Sequence, residues 1–200
     1  MRDPHQSEIP TEKLILTDEM REALTGGRVT DEEAFSSGQQ RVEDMIAANE
    51  PLGEILSTLV SMIEAQTPGM LCSVLLLSSD GNHIQHGAAP SLPADYVKAV
   101  DGAPIGPKNG SCGTAMYRGE RVIVTDILTD PLWEDYRALA NGTDFRACWS
   151  TPILSRRGKV LGSFAMYYAQ PQAPTGDEAR LTEAATRLAA KAIENRNASH

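Results

Sequence analysis

The chain has 200 residues, 41% of them hydrophobic and 22% charged, with a formal net charge of -9. That length supports one core with an appendage, and the composition is ordinary for a globular protein. The acidic balance excludes a dedicated nucleic-acid binder, because phosphate attraction needs a basic face and the one dense basic stretch is SRRGK, Ser155 to Lys159.

No apolar run approaches the roughly 20 residues that span a bilayer, and the opening MRDPHQSEIPTEKL lacks the apolar core of a signal peptide. The expectation is a cytoplasmic protein that makes no membrane contact. The three cysteines, Cys72, Cys112 and Cys148, are far apart, form no CxxC pair and have no zinc-type spacing with histidine. Neither a disulfide framework nor a metal site is expected, and no cofactor is predicted.

In chain order, residues 1–33 are polar and broken by Pro4, Pro10 and Gly26-Gly27. They read as a mobile or loosely docked arm with one short helix at TDEMREAL; residues 34–200 form the folded domain. TDEE, Thr30 to Glu33, fits a capping box and leads into a helix through AFSSGQQRVEDMIAAN, with Phe35, Val42, Met45 and Ile46 on its apolar side. Pro51 suits the first position of a second helix, where Leu52, Ile55, Leu56, Leu59, Val60 and Ile63 recur at helical spacing. MLCSVLLLSS is an apolar run of strand length, and Asp80-Gly81 signals a hairpin back through GNHIQHGAA. Cys72 falls inside the first strand as a buried, inert thiol.

PADYVKAVDG reads as a short helix closed by Gly102. Ser111 caps another through CGTAMYRG, ended by Gly119. RVIVTDI is a strand, and TDPLWEDYRALANG carries Asp130 as cap and Pro131 as first helical residue. FRACWSTPILS and VLGSFAMYYA flank the turn RRGK as a second hairpin. TGDEARLTEAATRLAAKAIENRN closes the chain as a helix with Thr175 and Glu178 as its capping box. This order is that of an α+β domain with an antiparallel sheet.

From about Pro51 to Glu194 the chain resembles a GAF domain, in particular the GAF modules of bacterial sensor kinases and cyclic-di-GMP signalling proteins. The resemblance rests on GSCGTA (Gly110 to Ala115), VIVTDILTDPLWEDYR (Val122 to Arg137), RACWSTPI (Arg146 to Ile153) and GKVLGSFAMYY (Gly158 to Tyr168). It implies a central antiparallel sheet of about six strands. Terminal helices would cover one face, and short helices and loops would close a small-molecule pocket on the other. It also implies dimerisation through the terminal helices and a signal passed to an output module. The 200 residues hold no kinase, cyclase or phosphodiesterase sequence, which fits either a stand-alone sensor, signalling to a dimer mate or to a separate kinase or cyclic-di-GMP output protein, or a fragment of a longer chain.

Within that frame, Ser111, Cys112 and Thr114 open one helix, Trp133 and Tyr136 lie on a facing short helix, and Arg146 and Trp149 begin a strand. An aromatic wall with a few aimed donors is what a small-ligand pocket requires. A helix N-terminus suits a carboxylate, nitrate or phosphate, and Arg146 offers a partner for it. The competing reading plugs the core with the two tryptophans and leaves a ligand-free dimerisation module.

A third reading is redox. The helix dipole at Cys112 favours the thiolate, with Arg118 and Arg121 near in sequence. Free methionine-(R)-sulfoxide reductases are GAF proteins with a similar GVCGTA-like turn, but their HIACD-like loop is absent, and Cys148 lies inside RACWSTP instead. A Cys112–Cys148 thiol pair is the form this reading takes here. The Cys-His of bilin attachment and the Asn-Lys…Phe…Asp-Glu signature of cyclic-nucleotide GAF domains are both missing. His83 and His86 read as surface residues at a hairpin edge, not as haem ligands. Asp126 resembles an acid-base group, whereas Asp130 is more simply a cap. Ala184, Ala185, Leu188, Ala189, Ala192 and Ile193 form a small-residue stripe that serves either a dimer bundle or packing on the chain's own sheet. Glu183 and Arg187 are spaced for an i,i+4 ion pair. The reading favoured overall is a small-molecule sensor without catalysis.

Overall fold

The structure, a computed structural model, describes residues 32–140 and 143–198. Most of the polar arm, including the TDEMREAL helix and Thr30 of the capping box, lies outside them. Helix α1 (Glu32–Ala47) begins two residues inside the span assigned to the arm. Helix α2 (Leu52–Glu64) starts one residue later than expected: Pro51 is its N-cap, with extended ψ of 130°, and not its first helical residue. Strands β1 (Leu71–Leu77) and β2 (Ile84–Ala88) form the first hairpin. Its turn is held by Asp80, whose carboxylate accepts from Ser78 Oγ, Asn82 N and His83 Nδ1.

Next come α3 (Ala94–Val100), α4 (Gly110–Arg118) and β3 (Val122–Val124). A 3-10 turn, Pro131–Tyr136, runs into α5 (Arg137–Ala140). Here Asp130 is the expected cap, accepting from Leu132 N at 2.8 Å. Strands β4 (Ala147–Leu154) and β5 (Val160–Tyr168) form the second hairpin, and α6 (Gly176–Ala198) ends the domain. The α6 capping box extends into the sheet. Glu178 accepts from Thr175 N and Oγ1 with one oxygen and from Tyr168 Oη with the other.

Five strands, not six, form the sheet among the described residues, in the order β2-β1-β5-β4-β3, every neighbour antiparallel. At the β2 edge the chain at Pro104 makes only a single bridge to His83. Backbone bonds flank the bridge, from Ile84 N to the Ala103 carbonyl, Gly102 N to the Ile84 carbonyl and Ile105 N to the Asn82 carbonyl, so the segment runs beside β2 without forming a sixth strand. At the sheet centre, β1 and β5 approach so closely at Gly162 that a Cβ there would collide with the Leu75 carbonyl oxygen.

The period of two along each strand splits the interior into two cores. Cys72, Val74, Trp149, Phe164 and Met166 face α1, α2 and α6. Leu75, Cys148, Ala165 and Tyr167 face α3, α4 and the 3-10 turn. The α6 stripe is spent inside the chain: Ala185, Leu188 and Ala189 are all 0% exposed in the first core. This is the second of the two roles the sequence left open for the stripe. Arg187 reaches across to Glu43 at 3.5 Å, and Lys191 joins the same carboxylate, so Arg187 makes an inter-helix pair and not the local pair with Glu183. No helix among the described residues is long and apolar enough to cross a membrane.

Candidate functional site

The second core is unusual at its centre, where the sheet presents hydroxyls and a thiol in place of hydrocarbon. Ser73, Ser150 and Ser163 are each 0% exposed, and Tyr167 only 1%. They share a face because strand alternation and register stack them. Cys148 pairs with Tyr167, Ser150 with Ala165, and Ser73 with Ala165 across β4, β5 and β1. Ser73 Oγ and Tyr167 Oη hydrogen-bond at 3.1 Å. The Oγ atoms of Ser150 and Ser163 are buried with no hydrogen-bond partner of good geometry.

Helix α4 lies over this polar floor. Gly110 enters it at φ 60°, a conformation that favours glycine, and Asn109 stands at the N-cap position assigned to Ser111. Ser111 is instead inside the first turn and points at the sheet. Its Oγ donates to the Cys148 carbonyl at 3.0 Å and accepts from Trp133 Nε1 at 2.9 Å. Cys112, next along the turn, places Sγ 3.8 Å from Tyr167 Oη.

The Cys112 thiol is held down to about 7, from an ordinary 9.0. Hydrogen bonding from the Cys148 thiol is the largest cause. Burial opposes it, and the Ser150, Tyr167 and Ser163 hydroxyls add to the lowering. Cys148 is pushed the other way, by burial first and then by Cys112. Arg118 and Arg121 play no part: the first donates to the Pro107 carbonyl and the second to Thr151 Oγ1. Cys72 is on the other face, 0% exposed, and its thiol is raised by burial.

A lid closes the space between α3, α4 and the 3-10 turn. Trp133, 3% exposed, is latched to Ser111, and Tyr136 Oη accepts from Asn109 Nδ2 at 2.9 Å. Outside these, Lys108 Nζ donates to Glu134 at 2.5 Å. What remains is a cavity of about 40 Å³ lined by Tyr96, Ser111, Cys112, Trp133, Tyr136 and apolar neighbours. That is room for a few water-sized molecules at most. Tyr96 braces the deep side, edge-on to Phe145 at 5.3 Å and to Tyr167 at 5.9 Å.

The structure therefore brings together four of the seven proposed ligand residues, Ser111, Cys112, Trp133 and Tyr136, along with the thiol Cys148. It separates the other three. Thr114 spends its hydroxyl as acceptor for Asn109 N, securing the start of α4. Arg146 forms a bidentate pair with Asp126, at 3.1 to 3.2 Å, away from the cavity. That guanidinium holds the Asp126 carboxyl below its ordinary range, which removes Asp126 as a proton donor. Trp149 follows Cys148 on β4, so alternation sends it to the opposite core. There it packs on Tyr168 at 4.6 Å and donates to the Gln172 carbonyl. Tyr96, Asn109, Ser150, Ser163 and Tyr167 were not foreseen. The alternation of FAMYY against ACWS carried a signal for Tyr167 and Ser150; for Tyr96 and Asn109 no local pattern existed. No cluster of three or more metal-ligating side chains occurs among the described residues.

The chain has relatives in sequence and in fold. The chain is 39% identical over 157 residues to the methyl sulfide methyltransferase-associated sensor of Methanosarcina acetivorans, a match covering 78% of this chain but 16% of that protein. Its fold is similar to the GAF domain of a phosphoenolpyruvate-protein phosphotransferase from Coxiella burnetii, with TM-score 0.66 and 18% identity over 84% of this chain and 97% of the other. It is also similar to free methionine-R-sulfoxide reductase from Neisseria meningitidis, with TM-score 0.64 and 14% identity over 83% and 92% of the two chains. The GAF domain family model matches residues 49–194, and the chain belongs to that family.

Proposed function

We propose that this domain is a sensory module whose lidded pocket binds a small molecule in an open state and signals through α1, α2 and α6. One observation carries the reading. The lid is fastened over a mostly apolar cavity by two hydrogen bonds, Trp133 to Ser111 and Tyr136 to Asn109. Hydrogen bonds exchange readily with a ligand's own donors and acceptors, so opening costs little once a ligand replaces them. A metabolite-sized ligand needs Trp133 and Tyr136 to swing out, because the closed cavity of about 40 Å³ cannot hold one. The relative named as a sensor supports the same role.

The route outward runs through the sheet. Ser111 is bonded to the β4 carbonyl of Cys148, while the next residue, Trp149, packs in the core shared with α2 and α6. A ligand that binds one arrangement of these helices better than another shifts the population between them. We assign the receiving end to a dimer mate or to a separate output protein, a kinase or cyclic-di-GMP enzyme, in the cytoplasm. Native mass spectrometry of freshly purified protein, with a denaturing run alongside, tests this. The expected result is an adduct that is lost on denaturation and also lost in Trp133→Ala. An apo dimer that stays apo against a metabolite library, with unchanged Trp fluorescence, would replace the sensor with a ligand-free dimerisation module.

A further inference from the structure

We infer that Cys112 and Cys148 form a reversible disulfide when a hydroperoxide enters the closed pocket, giving the domain a redox input. The inference does not depend on the ligand reading, since it uses the lid-closed state.

Three observations carry it. The two cysteines, far apart in the chain, are brought to one place by the fold: Ser111 Oγ holds the Cys148 carbonyl, and Cys112 Sγ rests on Tyr167, the cross-strand partner of Cys148. Both side chains belong to the same buried cluster on this face of the sheet, and the Cys148 thiol is the largest influence lowering the Cys112 thiol. Second, Ser150 and Ser163 are fully buried hydroxyls without a well-formed bond, beside the same sulfur. Buried hydroxyls normally find a partner, and an anionic sulfur or a departing oxygen would supply it. Third, Cys112 lines the cavity of about 40 Å³, which excludes metabolites but admits hydrogen peroxide, little larger than water. Cys72 is buried in the opposite core and has no access to the pair.

The chemistry balances without a cofactor. The Cys112 thiolate attacks one peroxide oxygen; the O–O bond breaks, and the other oxygen leaves as water or alcohol after taking up a proton. Cys112 is now a sulfenic acid. The Cys148 sulfur attacks it, the S–S bond forms, the S–O bond breaks, and hydroxide leaves with the Cys148 proton as water. In sum, two thiols are oxidised to one disulfide and one hydroperoxide is reduced to an alcohol, or to water, plus water. The new bond ties the first turn of α4 to β4 beside the Ser111–Trp133 latch.

The test is peptide mapping of the wild-type chain after hydrogen peroxide, unfolding and alkylation. The expected result is a Cys112–Cys148 linked peptide, a monomer lighter by two hydrogens, and one titratable thiol left of three, restored to three by dithiothreitol. Cys148→Ser, and Cys148→Ala as a second variant should the first fail to fold, are expected to stop at a Cys112 sulfenic acid trapped by dimedone. Three thiols surviving peroxide would overturn the inference, as would a disulfide that involves Cys72 or joins two chains.

Discussion

Replacing Ser111 with alanine removes one buried hydroxyl that serves two partners. Trp133 Nε1 donates to it at 2.9 Å, and it donates to the Cys148 carbonyl at 3.0 Å. Ser111 is 0% exposed and Trp133 3%, so the indole N–H is withdrawn from bulk solvent. A buried donor left unpaired costs about 1–3 kcal/mol, and the lost bond to the carbonyl about 1 kcal/mol more, for a total near 3 kcal/mol. For a domain of this size that lowers Tm by about 6–12 °C. In a Trp133→Phe background the indole is gone, and the same substitution is expected to cost only about 1 kcal/mol. The assay is urea unfolding of the four members of the cycle, followed by far-UV circular dichroism at one m-value. Equal cost of Ser111→Ala in both backgrounds would refute the latch, and with it the reason given for the lid being closed.

Three further predictions concern the thiol and the two faces of the sheet. The folded pKa of Cys112, about 7, lies below its ordinary 9.0, so the thiolate stabilises the fold fully above pH 9 and that contribution is lost as pH falls through 7. The stability gap between wild type and Cys112→Ser, measured by denaturant unfolding, is therefore expected to widen from pH 7 to pH 9; a flat gap contradicts the stabilisation of the thiolate by the Cys148 thiol and the surrounding hydroxyls. Trp149→Phe loses the bond to the Gln172 carbonyl and is expected to cost about 1–2 kcal/mol, while leaving Cys112 reactivity toward iodoacetamide unchanged. A large change in that reactivity would put Trp149 back at the pocket. Gly162→Ala forces a methyl against the Leu75 carbonyl and is expected to cost about 1–3 kcal/mol by thermal melt; a neutral result would mean that β1 and β5 yield there.

The elements themselves were readable because their signals are local. Leu52 to Ile63 recur at helical spacing, Asp80-Gly81 and SRRGK mark tight turns, and Thr175 with Glu178 announces a helix start; each needs only neighbours in the chain. The site was half readable for the same reason. Ser111, Cys112, Trp133 and Tyr136 line one cavity because they lie in two short segments that the fold sets face to face. Trp149 and Arg146, expected there as residues at the start of a strand, lie elsewhere. A strand reverses its side chains at every step, so the neighbour of a pocket residue is by construction outside the pocket. Arg146 then found the nearer Asp126.

Sequence alone thus determined that this is an antiparallel α+β domain of the GAF kind, that Cys72 is an inert core thiol, and that Asp130 caps a short helix. Tertiary structure decided which side of the sheet each strand residue faces, and so that Cys112, Cys148, Ser150, Ser163 and Tyr167 share one buried polar floor. It also decided that the small residues of α6 are consumed by the chain's own core. The physical reason is register: helices and turns are specified by nearby residues, but the pairing of β4 with β5 and the seating of α4 over them join residues far apart in the chain, and only their packing selects one alignment.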